Sequence, residues 1–320
     1  MKLKNLYQES VKKGVEADIR PQSQIAQILK KKRAVYEKLS PKEKELFDVD
    51  VLFNPFSDTR IVAGNPESNV KSMFVGIDVD GQELLLVDKL KERGSKIDLV
   101  ISHHPQGRAY ANFYEVMDLQ VDVFAKEGVS LSCSESLLEQ RKAEVARKVN
   151  AANHLRPIDI ARWLKINLLC IHTPCDNLAY QFMRRMLDRE KPSSLGKIVD
   201  ILYGIPEYKD AAQNNNPPKI VIGNKSSRCR KIHIEFTGGT EGPQGIYDEL
   251  ASSGIDTIVA MHQSEEHFKK CKKAHINIIF ASHIASDTLG VNLMLDHLEK
   301  KEKFTIYEFS GFRRFTHKSK

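Results

Sequence analysis

A chain of 320 residues with 41% hydrophobic and 28% charged positions has the make-up of an ordinary globular protein, large enough for two domains or one large one with appendages. No run nears the roughly 20 apolar residues a membrane helix needs, the first residues lack a signal-peptide core, and five cysteines without a C-x-x-C pair point to reduced thiols in a cytoplasm. The net charge of +7 gathers at the two ends of the chain, and no basic stretch is interleaved with aromatics, so nucleic acid is the minority expectation and a membrane is none.

Residues 1–50 are expected to form a polar helical extension, peripheral to the fold and suited to an oligomer arm. Within it, Ser40-Pro41-Lys42-Glu43 reads as an N-cap, a proline at the first helical position and a capping-box acid. Lys30-Lys31-Lys32-Arg33 reads as a solvated helix face. After the turn-rich Asn54-Pro55-Phe56-Ser57-Asp58, a strand over 73–79, a helix over 82–93 and a strand over 99–102 form a βαβ unit with parallel strands and a right-handed crossover. Helices follow near 117–127, 135–150 and from Pro157 through Leu164. A strand over 168–171 and a helix near 178–189 close the first part.

Residues 204–218, with Gly204, Pro206, Asn214 to Asn216 and Pro217-Pro218, read as a linker. The boundary there separates a first α/β lobe, 51–203, from a second, 219–320. In the second, 219–222 and 232–236 read as a hairpin. The glycine-rich Thr237-Gly238-Gly239-Thr240-Glu241-Gly242-Pro243 lacks the spacing of a phosphate loop and reads as a tight turn. Two βα units follow. The pattern is that of an α/β protein with mostly parallel sheets flanked by helices.

Four apolar runs each end in histidine: 97–102 at His103-His104-Pro105, 166–171 at His172, 255–261 at His262 and 276–282 at His283. In α/β sheets ligands gather outside the carboxyl ends of strands, so four imidazoles delivered there suggest a metal site. His103 and His104 point to opposite faces of a regular strand. They can serve one site if the chain turns at Pro105, and otherwise one packs in the core and the other is solvated. Asp176 stands where an aspartate most often caps a helix. His283 and Asp287, four apart on a helix, share a face. Imidazoles mixed with carboxylates suit Zn, Mn or Fe better than Mg or Ca. His262, Glu265 and His267 form a second polar cluster, fitted to outer-shell or substrate roles or to the acidic first turn of a helix capped by Ser264. Cys170, Cys175 and Cys271 have no ligand spacing and read as packing residues.

These motifs resemble the Nif-three-like dinuclear-metal family, which includes type-two GTP cyclohydrolase I homologues. The resemblance runs from about Ser57 to Leu298. It rests on Ser57-Asp58-Thr59-Arg60-Ile61-Val62-Ala63-Gly64, on Ser102-His103-His104-Pro105, on His172-Thr173-Pro174-Cys175-Asp176-Asn177 and on His283-Ile284-Ala285-Ser286-Asp287. It implies two α/β lobes with the site in the cleft between them, and a toroidal homo-oligomer with six copies as the candidate stoichiometry. It further implies two divalent ions held by His103, His104, Asp176, His283 and Asp287. The family usually has Glu at the position of Asp287, and it lacks both the 1–50 segment and a helical insertion near 133–165. The function expected is a metal-dependent hydrolase of a small nucleotide-like molecule, GTP cyclohydrolase chemistry included, with His262 or His267 moving a proton. The alternative is a non-catalytic, metal-loaded oligomeric scaffold or regulator, and the plainest reading is an α/β protein whose histidines are structural.

Overall fold

The computed structural model describes residues 1–317. Among the described residues nine strands form two sheets: β1 (Arg60–Ala63), β2 (Ser72–Gly76), β3 (Leu99–Ser102), β4 (Leu168–Cys170), β5 (Lys219–Ile222), β6 (Ile232–Glu235), β7 (Thr257–Ala260), β8 (Asn277–Phe280) and β9 (Thr305–Glu308). The first sheet has the order β1-β4-β3-β2-β9 and the second β5-β8-β7-β6. β2, β3 and β4 run parallel, as do β6, β7 and β8, while β1 and β5 are antiparallel edges. The expected βαβ unit is present, with Met73 opposite Leu99 and Gly76 opposite Ser102. β2, β3, β4 and β7 are buried along their whole length, which is why they read as unbroken apolar runs rather than alternating ones.

The two sheets repeat one device. Gly64 and Gly223, just beyond β1 and β5, have φ of 100° and 97°, and a Cβ at either would overlap the side chain of Asn167 or Asn277. Those asparagines donate from Nδ2 to the backbone carbonyls of Asp98 (2.8 Å) and Asp256 (3.1 Å). The Asp98 carboxylate in turn accepts from the N–H of Lys71 and Ser72, and that of Asp256 from the N–H of Arg230 and Lys231. Each clamp ties the start of one parallel strand to the next, so the carboxyl ends of β3, β4, β7 and β8 stay in register.

Several elements differ from expectation. The helix Leu3–Ala17 is not peripheral, because Leu3, Leu6, Tyr7 and Val11 are buried in the core of the first lobe. Its apolar side chains recur at helical spacing, and burying each contributes roughly 1.5–3 kcal/mol. The next helix, Gln22–Lys38, stays at the surface with Ile25 as its one buried residue, and Pro41–Leu46 buries none. The capping box at Ser40 forms, with Glu43 bonding back to the Ser40 N–H. β5 and β6 are not a hairpin: β5 pairs with β8 and β6 with β7, at opposite edges of the sheet. The apolar faces of β7 and β8 fill the gap, which no short loop could reveal. Inside the stretch expected as linker, Pro206–Gln213 is a helix whose Tyr208 is buried and meets Ser286. The chain's last strand, β9, leaves the second lobe and pairs with β2 of the first. The segment near 133–165 holds the helices Leu131–Asn150 and Arg156–Trp163. The five cysteines are free, and all but Cys133 are buried. Among the described residues no helix is long and apolar enough to cross a membrane.

Candidate metal centre

The four histidine-bearing strand ends converge. Ring centroids of His103 and His172 lie 4.8 Å apart, of His104 and His283 5.4 Å, and of His262 and His283 4.5 Å. His103 and His104 share the site because the chain leaves the β3 geometry after Ser102. The N–H of His103 bonds the carbonyl of Gly76, the N–H of His104 that of Ile77, and the Ser102 hydroxyl the carbonyl of His104. The carboxylates come from near the starts of two helices, Asp176 from the first turn of Thr173–Glu190 and Asp287 from the second turn of His283–Glu299. The position before the first of these helices is His172, and Asp176 makes no capping bond, so the cap alternative for Asp176 does not hold. Ser282, just before His283, has φ 80°, a conformation a non-glycine residue adopts at a cost of about 1–3 kcal/mol. Its hydroxyl accepts a hydrogen bond from Asn216.

Three groups of donor atoms, each within 4.8 Å, could hold a metal: His103, His104 and His172; His104, His283 and Asp287; His103, Asp176 and Asp287. Asp287 faces both ways. Its Oδ1 lies 3.5 Å from His103 Nε2, and its Oδ2 lies 3.4 Å from His104 Nε2 and 3.4 Å from His283 Nε2. Asp176 Oδ1 is 3.3 Å from His103 Nε2.

The far side of each imidazole decides which nitrogen is free. His103 Nδ1 meets the carbonyl of Ile171 at 3.1 Å, His104 Nδ1 the carboxylate of Asp78 at 2.7 Å and His172 Nδ1 that of Asp58 at 2.9 Å. A carbonyl or carboxylate there takes the Nδ1 hydrogen, which leaves a lone pair on each Nε2. This is the outer-shell arrangement of metal-binding histidines. Asp58 is fully buried and also accepts from the Thr173 hydroxyl and N–H. Burial pushes its carboxyl up, but His172 and Thr173 more than offset that and hold it below the usual carboxylate range. His103 Nε2 and Asp287 Oδ2 are buried with no hydrogen-bond partner. Orphaned buried polar atoms cost about 1–3 kcal/mol each; a divalent cation would satisfy both. The residues therefore fit the metal group the motifs imply.

Electrostatics agree. Burial would lower the pKa of His103, yet the charge of Asp287 and its contact with Asp176 hold it well above the ordinary value. His104 is likewise raised to about 9, with Asp287 and Asp78 overcoming burial. Burial would raise Asp287, but His103 and His104 hold it well below the carboxylate range. Positive charge is wanted on the imidazole side of this group, whether from protons or from a cation.

All five residues expected as ligands are brought together here. His262 stands beside His283 and is exposed. His267 is elsewhere, buried on the helix Glu265–Lys273 with Nδ1 on the Tyr247 hydroxyl at 2.8 Å. Three contributors stood outside the expected ligand set: His172, which the sequence offered only as one of four histidines at strand ends, and Asp58 and Asp78 behind the rings. Asp58 lies inside a motif that already carried the resemblance, but its pairing with a residue 114 positions away leaves no spacing to read. Beside the group opens a cleft of about 740 Å³, including its mouth, walled by His172, Asp176, Asp287, Glu235, Glu241 and Tyr247 among others.

No family model and no curated protein matches the sequence. Among solved structures, the chain is similar to a NIF3 superfamily protein from Sphaerobacter thermophilus, with 26% identity, a TM-score of 0.70, and coverage of 80% of this chain and 91% of that one. More distant likenesses are reduced HcgD from Methanocaldococcus jannaschii (12% identity, TM-score 0.49, 87% and 96% covered) and a Bacillus cereus protein related to NIF3 (10%, 0.41, 86% and 94%).

Proposed function

From the premise of a NIF3-like family, which those likenesses support, we propose that this protein is a dinuclear metal-dependent hydrolase of a small heterocyclic or nucleotide-like molecule. The observation that carries the reading is the pair of orphaned buried atoms, His103 Nε2 and Asp287 Oδ2, at the centre of the histidine–aspartate group. His103, Asp176 and Asp287 make one ligand set; His104, His283 and Asp287 make the other, with His172 at hand. The shared Asp287 supports two ions rather than one. The mixed nitrogen and oxygen donors favour Zn, Mn or Fe. Two such ions, when bound, lower the pKa of a shared water and polarise a substrate oxygen.

The chain's own residues do the rest. Asp58, Asp78 and the Ile171 carbonyl hold the Nδ1 hydrogens, so the Nε2 lone pairs would be free for the ions. His262, exposed beside His283, is the group placed to take a proton out to solvent. His267 is not offered for that task, because Tyr247 holds its Nδ1. Apolar side chains left at the surface, Leu46 (91% exposed) and Trp163 (87%), support a homo-oligomer as part of this reading. The test is elemental analysis of protein purified without chelator, followed by hydrolysis assays on nucleosides, nucleotides and related heterocycles. About two transition-metal ions per chain and turnover abolished by chelator are expected. Protein that keeps its metal and turns over nothing is a scaffold instead.

A further inference from the structure

The cleft beside the histidine–aspartate group has a chemistry of its own. Its floor is apolar and aromatic, with Phe124, Phe236 and Tyr247 all buried. Its polar wall carries the acceptors Glu235, Glu241 and Gln120 beside the hydroxyls of Thr237, Thr240 and Tyr247. Glu235 accepts a hydrogen bond from Gln263 Nε2 at 3.0 Å through Oε2 and also meets the Tyr247 hydroxyl. Glu241 is held at the rim by the Ser264 N–H. Gln120, 4% exposed, spends both Nε2 hydrogens on the carbonyls of Gly238 and Thr240 (2.8 and 2.7 Å), and its Oε1 is buried without a partner.

Among the described residues, no lysine or arginine lines this cleft. The recess on the other side of the group, walled by His104, Tyr110, Phe113 and His154, has none either. Arg141 comes near, but it donates to the backbone carbonyl of Glu241 and pairs with Glu144. The metal group offers no surplus positive charge. The carboxylates of Asp58, Asp78, Asp176 and Asp287 would balance two divalent ions, and Glu235 and Glu241 add negative charge beyond that. Proteins that bind polyphosphates place Arg, Lys or a run of backbone N–H groups around them. Here the carboxylates repel anions with no lysine or arginine to offset them, while the apolar floor suits a ring.

We propose that this cleft recognises the N–H-donating edge of a planar, neutral or cationic heterocycle, an aminopyrimidine or purine base, and discriminates against a polyphosphate chain. Glu235, Glu241 and Gln120 Oε1 are the specificity-determining acceptors. A carboxylate takes two parallel N–H groups from an amidine-like edge, and the base stacks over the aromatic floor with its reacting atom toward Asp287. The inference rests on the hydrolase reading for the reacting end of the molecule; recognition of the base belongs to the cleft alone.

The test is calorimetry on the full chain, with metal content measured on the same sample, using guanosine, GTP and 2,4-diaminopyrimidine as probes. Guanosine or the diaminopyrimidine should bind at least about tenfold more tightly than GTP, the scale of one lost or added charged hydrogen bond. The double variant Glu235→Gln, Glu241→Gln should lose about tenfold for the N–H donors and narrow the gap to GTP, with metal content unchanged. Tighter binding of GTP than of guanosine, or no binding of either N–H donor, overturns the inference. So does a double variant that folds and binds guanosine like wild type. If that variant does not fold, the wild-type ranking decides alone. Guanosine binding by protein that carries no metal sustains the cleft assignment while removing the hydrolase reading, so the two failures are distinct.

Discussion

At the ends of β3 and β7, which hold equivalent places in the two sheets, the first lobe carries His103 and His104 and the second carries Met261 and His262. At the ends of β2 and β6 the same register sets Gly76 and Asp78 of the first lobe against Glu235 and Thr237 of the second. Asp78 orients a histidine, whereas Thr237 donates to Asn177 at 2.6 Å and lines the cleft. β9 explains part of the contrast. It covers β2, and Phe309 lies where a Cβ on Gly76 would fall, so that strand end is closed. β6 has no outer neighbouring strand among the described residues, and its end, Glu235 to Thr237, lines the cleft. The first repeat thus supplies three of the imidazoles in the metal group and the second most of the pocket wall. What they share is the strand clamp and a carboxylate near the start of the helix that follows the third parallel strand.

That shared carboxylate is where the comparison breaks most sharply. Asp287 faces both donor sets and Asp176 only one, so Asp287→Ala should abolish binding of both ions while Asp176→Ala keeps about one, as read by elemental analysis. Equal loss in the two variants would show that the lobes contribute symmetrically.

Next in size is the carboxylate behind the ring. Asp58→Ala frees His172 to rotate and should weaken metal binding by roughly 10–100-fold, measured by competition with a chelator. Among the described residues His262 has no such partner behind it, so His262→Ala should leave metal affinity near wild type and lower turnover.

The helices of the two repeats meet at Gly290, where a Cβ would overlap the carbonyl of Cys175. Gly290→Ala should cost about 1–3 kcal/mol through overpacking, seen as a lower denaturant midpoint at unchanged slope. A neutral result would mean that the lobes slide past one another freely.

The smallest effect tests the repeat itself. Asp98→Ala and Asp256→Ala each remove a carboxylate that holds two backbone N–H groups, and each should cost about 1 kcal/mol. The Asp98 carboxyl is pushed up by burial but held below its usual value by the Lys71 and Ser72 N–H groups. A lowered folded pKa contributes stability above the unfolded carboxyl value, about 3.9, that is lost as pH falls through the folded one. The gap between wild type and Asp98→Ala should therefore close in acid and persist at neutral pH.

Local chemistry was legible from the chain. Buried parallel strands announce themselves as unbroken Ile, Val and Leu runs, the His-His-Pro turn breaks the strand that precedes it, and His283 with Asp287 follows helical spacing. The capping box at Ser40 needs only its own four residues. The repeat was written there too, in Ile61-Val62-Ala63-Gly64-Asn65 and Ile220-Val221-Ile222-Gly223-Asn224, though its meaning rests on contacts with Asn167 and Asn277. Only the tertiary structure decided the partners. Two neighbouring strands such as β5 and β6 look like a hairpin until the apolar faces of β7 and β8 come between them. A helix such as Leu3–Ala17 looks peripheral until its stripe finds the helix Thr173–Glu190, where Gly14 packs against Pro174. Asp58 becomes the support of His172 only when β1 lies beside β4. Spacing in sequence governs what a helix face or a strand end presents, because those geometries repeat within a few residues. Which buried surfaces and charges meet depends on the lowest free energy of the whole packed chain, and that is a property of no single stretch.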